Sequence, residues 1–164
     1  MELAELLAQH AVAVLSDTRS IPRSRHNPQF NPEELAPFLA ERGIEYRHHP
    51  LLGGLRHARK DSPNTAWENA SFRGYADYMQ TAPFREGIAE LEGLASHRTV
   101  AVMCAELVWW RCHRRMIADR LTVDGFEVLH IMTPGAKPYP HKPSPGLTVS
   151  DGEITYPGAQ PPLL

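Results

Sequence analysis

Ala11-Val-Ala-Val-Leu15 and Thr99-Val-Ala-Val-Met103 decide the fold. Neither run alternates apolar with polar residues, so each predicts a strand covered on both faces. Strands of that kind belong to parallel sheets flanked by helices. Outward from them, Glu2 to His10 carries Leu3, Leu6 and Leu7 at helical spacing. Asn31-Pro32-Glu33-Glu34 predicts a helix start, with Asn31 as N-cap, Pro32 at the first helical position and Glu34 placed for a capping box. Leu35, Phe38 and Leu39 form that helix's apolar stripe, and Gly43 ends it. Ile44 to His49 reads as a second strand, and Phe72–Gln80 and Pro83–Ser96 read as helices. A helix from Cys112 to Val123 turns Met116, Ile117 and Leu121 inward, Gly125 ends it, and Phe126–Ile131 reads as a last strand. The alternation predicts an α/β domain over residues 1–131: a small parallel, Rossmann-like sheet of about four strands with helices on both faces.

Beyond Met132 the reading changes. Eight of the 15 prolines lie there, in PGAKPYPHKPSPGL and after it. Proline forbids long helices and central strands, so residues 132–164 predict an extended proline-rich arm lying over the domain or a partner.

Composition narrows the function. A chain of 164 residues is long enough for one core. Its net charge of −2 argues against a uniformly basic polyanion binder. Two cysteines, Cys104 and Cys112, exclude a disulfide-built secreted domain and make the cytoplasm the expected compartment. No apolar run reaches the ~20 residues that span a bilayer, so no membrane role is expected. By position the charges separate. Thr18–Pro32 holds three arginines and no acid, and Arg42–Lys60 holds five basic residues against one acid, while the acids gather on the helices.

Ligands of open parallel sheets bind beyond the carboxyl ends of the strands. After the first strand come Asp17, Arg19, Arg23, Arg25, Asn27 and Gln29; after the second, Gly53-Gly54; after the third, Cys104, Glu106, Trp109-Trp110, Arg111, Cys112, His113 and Arg114. Residues 111–114 fall where a helix begins, and free N–H groups with the helix dipole favour an anion there. Arginine forks suit phosphate or carboxylate, so Arg19, Arg23, Arg25 and Arg114 read as an anion clamp, or else as a salt-bridge network with Asp17 and Glu106, and Arg111 joins the ligand-binding candidates with Asn27, Gln29, Gly53 and Gly54. Paired glycines permit close approach of backbone to a ligand. Glu106 is the expected general acid/base, or the anchor of an ion-pair network. Cys112, at a helix start beside arginines, is a candidate nucleophile or redox thiol with His113 assisting, whereas Cys104 also reads as a small packed hydrophobe. Zinc on Cys104, Cys112 and His113 is possible but not favoured, because the spacing fits no standard pattern. Trp109-Trp110 stacks a ring or closes the core.

DTRSIPRSRHNPQFN, HHPLLGGLR and CAELVWWRCHRRMIAD, followed by Gly125 and His130-Ile131, are very similar to a bacterial family, domain of unknown function 488, over about Ser16 to Met132. The resemblance implies a Rossmann-like α/β fold with a pocket built from these motif residues, and implies no reaction. Members of that family usually begin with a further strand and a Gly-His-Ser segment ahead of the first helix. The present sequence starts at that helix, from a start misassigned or trimmed or from a sheet with one strand fewer. A sheet edge exposed that way invites pairing with another chain, so a homo-oligomer through that edge or the arm is an expectation. Together these features predict an enzyme binding a phosphate-bearing small molecule, nucleotide or nucleic-acid end, with Glu106 as acid/base. The alternatives are a non-catalytic nucleic-acid or nucleotide module, and a redox or metal protein using Cys104 and Cys112.

Overall fold

Four consecutive buried residues, Val14–Asp17, form strand β1. The structure, a computed structural model, describes residues 2–106 and 108–158. β1 pairs in parallel with β2 (Glu45–His48) on one side and β3 (Val100–Met103) on the other, with Val14 level with Glu45 and Val100. The sheet order is β2-β1-β3.

Strand side chains alternate between faces, and both faces of β3 are apolar. Ala101 and Met103 join Leu7, Leu15, Leu35 and Leu39, the cluster of α1 (Glu2–Gln9) and α2 (Pro32–Ala40). Val100 and Val102 join Tyr75, Phe84, Leu91, Met116 and Ile117 on the opposite face. Those come from α3 (Ala70–Tyr78), α4 (Ala82–Ala95) and α5 (Arg114–Val123). Helices therefore cover both faces, as the unbroken apolar runs require.

The helix ends follow local chemistry. Asn69 Oδ1 accepts the N–H groups of Ser71 and Phe72 at 2.8 and 3.2 Å, capping α3. Gly43 and Gly125, past α2 and α5, take φ of +75° and +93°, which side chains resist. Asn31 precedes α2 as expected, but its Oδ1 accepts from Ser24 N–H at 2.7 Å, so no side-chain cap or capping box forms. The side chain tethers the arginine loop to the helix start instead.

Two expectations are corrected. Residues 126–131 do not add a fourth parallel strand. Only β4 (Leu129–His130) forms, and it pairs antiparallel with β5 (Tyr139–Pro140), apart from the sheet. His130 is drawn to His141 rather than to β3, with Nε2 and Nδ1 of the two rings 2.8 Å apart. Three parallel strands support a small mixed α/β sheet and no finer Rossmann-like layout.

The proline-rich segment, over its described residues, is not an arm. It turns back through the hairpin of β6 (Thr148–Ser150) and β7 (Glu153–Thr155) and puts Ile154 and Tyr156 into the core of α3–α5. The fastener is Asp119, fully buried on α5. Its Oδ1 accepts from His141 Nε2 and Ser144 N at 2.7 and 3.0 Å, and its Oδ2 accepts from Tyr156 OH at 2.7 Å. Asn64 adds a second tie, accepting Tyr156 N–H at 2.8 Å and donating to Asp77 on α3 at 2.7 Å. No helix among the described residues is long and apolar enough to cross a membrane.

Candidate functional site

The parallel sheet brings its strand-end loops together at one edge. Thr18, just past β1, donates its hydroxyl to Met103 O at 3.0 Å, tying the ends of β1 and β3. Ser20 donates to Gly54 O at 2.9 Å, bringing in the loop after β2. His113 Nε2 lies 3.2 Å from Thr18 O, which joins the start of α5 to both.

Most of the arginine loop is occupied by protein partners. Asp17, at the buried end of β1, receives Arg19 Nε and Nη2 at 2.9 and 2.7 Å and Tyr46 OH at 2.5 Å. Arg19 Nη2 also reaches Phe30 O at 2.7 Å. Burial and the hydrogen bond to Asp17 push the Tyr46 hydroxyl up, so it stays a donor. Asp17 and Arg19 therefore form a closed structural pair, not half of a clamp. Arg23 holds Glu33 at 2.6 Å on the surface. Arg25, Asn27, Gln29 and Arg111 are exposed.

The glycine pair is also occupied. A methyl group on Gly53 would strike Ser20 Oγ at 2.3 Å, and one on Gly54 would stand 3.0 Å from His113 Nδ1. The missing side chains admit Ser20 and His113 rather than an approaching ligand. Glu106 is exposed, not buried beside the arginines. Its backbone does the work there: Arg114 Nη2 donates to Glu106 O at 2.8 Å, and Glu106 N–H reaches Cys104 Sγ at 3.3 Å.

What the loops enclose is Cys112. It is 4% exposed and sits one residue before the N-cap of α5, His113. Its Sγ lies 3.5 Å from His113 Nδ1 and 3.4 Å from the N–H of Arg114. A carbonyl only accepts, so His113 Nε2–H donates to Thr18 O and Nδ1 is turned to the sulfur. Cys104 faces the same atom from the end of β3. Donation from the Cys104 thiol, then from His113 and the Arg114 N–H, holds the Cys112 thiol well below the usual range against the opposing cost of burial. The Cys104 thiol is correspondingly pushed up. This is the arrangement of an activated thiolate: a helix N-terminus, an imidazole and a second donor on one sulfur. Both cysteines are free thiols.

Trp109 does not close the core. Its ring stacks on His130 with centroids 4.0 Å apart and planes 6° from parallel, and its Nε1–H donates to Tyr139 OH at 2.7 Å. Trp110 is 42% exposed. His130, His141 and Asp119 form a buried line that pattern reading passed over. Its one local signal is an aspartate on the face of α5 that also buries Met116 and Ile117. Burial, with His141 and Arg114 nearby, pushes His130 down to about 4. Among the described residues no group of three or more His, Cys, Asp or Glu side chains is arranged to hold a metal ion.

The molecule is thus a small α/β protein with a cysteine–histidine pair at the strand-end edge of a parallel sheet. Residues 1–121 match the family described as Domain of unknown function DUF488, and the chain belongs to it. No curated protein and no solved structure matches it.

Proposed function

We propose that the protein is a thiol-dependent enzyme, with Cys112 as nucleophile and His113 as its acid/base partner, acting on an anionic, phosphate-bearing small molecule. The observation that carries this reading is the set of donors around one sulfur: His113 Nδ1 at 3.5 Å and the Arg114 N–H at 3.4 Å, with Cys104 opposite. In the resting pair the proton passes from Sγ to Nδ1, leaving a thiolate beside an imidazolium. Thr18 O keeps Nε2 protonated, so the ring does not turn away. The substrate's negative group is received by the positive end of α5 and by Arg111 and Arg114, since Arg19 and Arg23 are held by Asp17 and Glu33. Glu106, exposed and joined to the site through its backbone, is not needed as the acid/base.

Thiolate absorbance in the far ultraviolet, followed against pH, tests the reading without requiring a reagent to reach the buried sulfur. A thiolate should persist well below pH 8, disappear in Cys112→Ser, and titrate at least about one unit higher in His113→Ala, the change expected for one lost charge-assisted contact. Titration of Cys112 near the ordinary thiol value of about 8.5 would overturn it. The facing position of Cys104 favours a second reading, a reversible dithiol. A disulfide between Cys104 and Cys112 after mild peroxide, detected by mass, would select it.

A further inference from the structure

Residues 51–55, beyond β2, lie outside the sheet and the α-helices. Even so, four consecutive carbonyls there each receive a side-chain donor. Leu51 O accepts from Tyr78 OH at 2.5 Å, and Leu52 O from Tyr75 OH at 2.7 Å. Gly53 O accepts from Arg56 Nε at 3.2 Å, and Gly54 O from Ser20 Oγ at 2.9 Å. The donors come from α3, from the loop itself and from the loop after β1. The Arg56 guanidinium is in turn held 3.7 Å above the Tyr78 ring. The next residue, Leu55, takes a φ of +62° with its side chain 81% exposed. A side chain so exposed gains too little packing to offset that backbone, so the strain is sustained by the four pins around it. A loop that only connected β2 to α3 would need neither.

What the pinned turn presents is Gly54. A methyl group there would lie 3.0 Å from His113 Nδ1, 3.4 Å from Cε1 and 3.6 Å from Cγ. Approach in the ring plane, along the Nδ1 lone pair, would leave both carbons distinctly farther off, so the glycine packs over the face of the ring. The in-plane directions of the two nitrogens stay with their partners, Cys112 Sγ at 3.5 Å and Thr18 O at 3.2 Å. Tyr75, whose hydroxyl pins Leu52, also sets its ring 5.0 Å from that of His113.

We propose that Gly54 is a positioning residue for the proton transfer between Cys112 and His113: the pinned turn lays bare backbone on the imidazole face and keeps Nδ1 aimed at the sulfur. This role, which rests on the reading of Cys112 as a thiolate, makes the loop after β2 part of the acid/base machinery. A larger residue at 54 pushes the ring along its normal and carries Nδ1 and Nε2 out of line with Sγ and Thr18 O together. Hydrogen bonds weaken steeply with such misalignment.

Thiolate absorbance of the full chain against pH, with urea unfolding beside it, tests this in Gly54→Ala and Ser20→Ala. Gly54 is not among the positive-φ glycines, so its backbone accepts alanine and the methyl acts through the ring. In Gly54→Ala the Cys112 midpoint should rise by at least about one unit, which is about tenfold less thiolate at a pH below both midpoints. Ser20→Ala removes one pin without adding an atom, and should move the midpoint the same way by less. A glycine needed only for the fold would instead lower the urea midpoint and leave the titration of the folded protein unmoved. If Gly54→Ala does not fold, Ser20→Ala decides, and an unmoved midpoint there overturns the proposal. A wild-type midpoint near the ordinary value of about 8.5 overturns it together with the thiolate reading, whereas a low wild-type midpoint that Gly54→Ala keeps overturns it alone.

Discussion

Asp17 shows how a side chain that reads as chemistry becomes architecture. At a strand end beside arginines, a carboxylate can serve as a base or close a network, and the surroundings decide. Its side chain is fully buried and that of Arg19 is 10% exposed. The guanidinium approaches it through two nitrogens, and Tyr46 donates to the same oxygen as Arg19 Nη2. Two charges taken out of water are tolerable only when such partners replace the solvent. Asp17→Ala would leave Arg19 buried and unpaired, so it should cost about 3–5 kcal/mol of stability, read from urea unfolding. Thiolate titration of the folded fraction should stay at the wild-type position, because Cys112 is held by other residues. A loss under about 1 kcal/mol would instead mark the pair as solvated and dispensable. Cys112 is the converse case. Its thiol is held down by its neighbours, so it adds stability that is complete above the unfolded value of about 8.5 and is lost as pH falls through the native value.

At the scale of elements, α4 and α5 meet through a charge that the helix pattern hides. Glu92 on α4 faces Asp124, the C-cap of α5, while Arg120 is committed to Asp124. Burial and then Asp124 push Glu92 up to about 7. An acid whose native pKa is raised binds its proton more tightly folded than unfolded. The stability this gives is full below the unfolded value of about 4.3 and is lost as pH rises through about 7. Glu92→Gln should therefore match the wild type at pH 4 and exceed it at pH 8, in melting curves taken at both. Equal melting at pH 8 would place Glu92 in solvent. None of this coupling is visible in sequence, because it joins residues 32 positions apart that each sit acceptably on a helix surface. The elements themselves were legible. Unbroken apolar runs marked β1 and β3, Pro32 marked the start of α2, and Gly43 and Gly125 the positive-φ residues beyond α2 and α5. Phe126–Ile131 misled because an apolar run states burial and not a pairing partner. At the site, the convergence of three strand-end loops follows from the strand pattern, and the same pattern names Cys112 and His113 only as assistants to Glu106, which the structure leaves exposed. That Arg19, Arg23 and the glycine pair were already taken does not follow from it, since Tyr46, Phe30, Glu33 and Ser20 obey no local pattern.

Across the whole molecule, the α/β domain is completed by its own proline-rich end. Prolines prevent residues 132–158 from forming long elements, so the segment is held by single side chains instead. Ile154 and Tyr156 go into the core, and His141, Ser144 and Tyr156 go onto Asp119. Burying two such side chains stabilises by about 1.5–3 kcal/mol each. Three donors on one buried carboxylate spare it a desolvation cost of about 1–3 kcal/mol or more. Against a total stability of about 5–15 kcal/mol, these contributions are a large share. Tyr156→Phe keeps the packing and removes one donor from Asp119, so it should cost about 1–3 kcal/mol with cooperative unfolding preserved. A chain ending at Ile131 loses the packing and all three donors, and it should lose its sharp urea transition and expose apolar surface to a hydrophobic dye. It should also release Trp109 from His130, because the ring beneath it is positioned through His141. Tryptophan fluorescence would report that release even in whatever fraction stays folded. Truncated protein that unfolds with the wild-type midpoint would make residues 132–164 an arm after all, and would detach the His130 line from the stability of the domain.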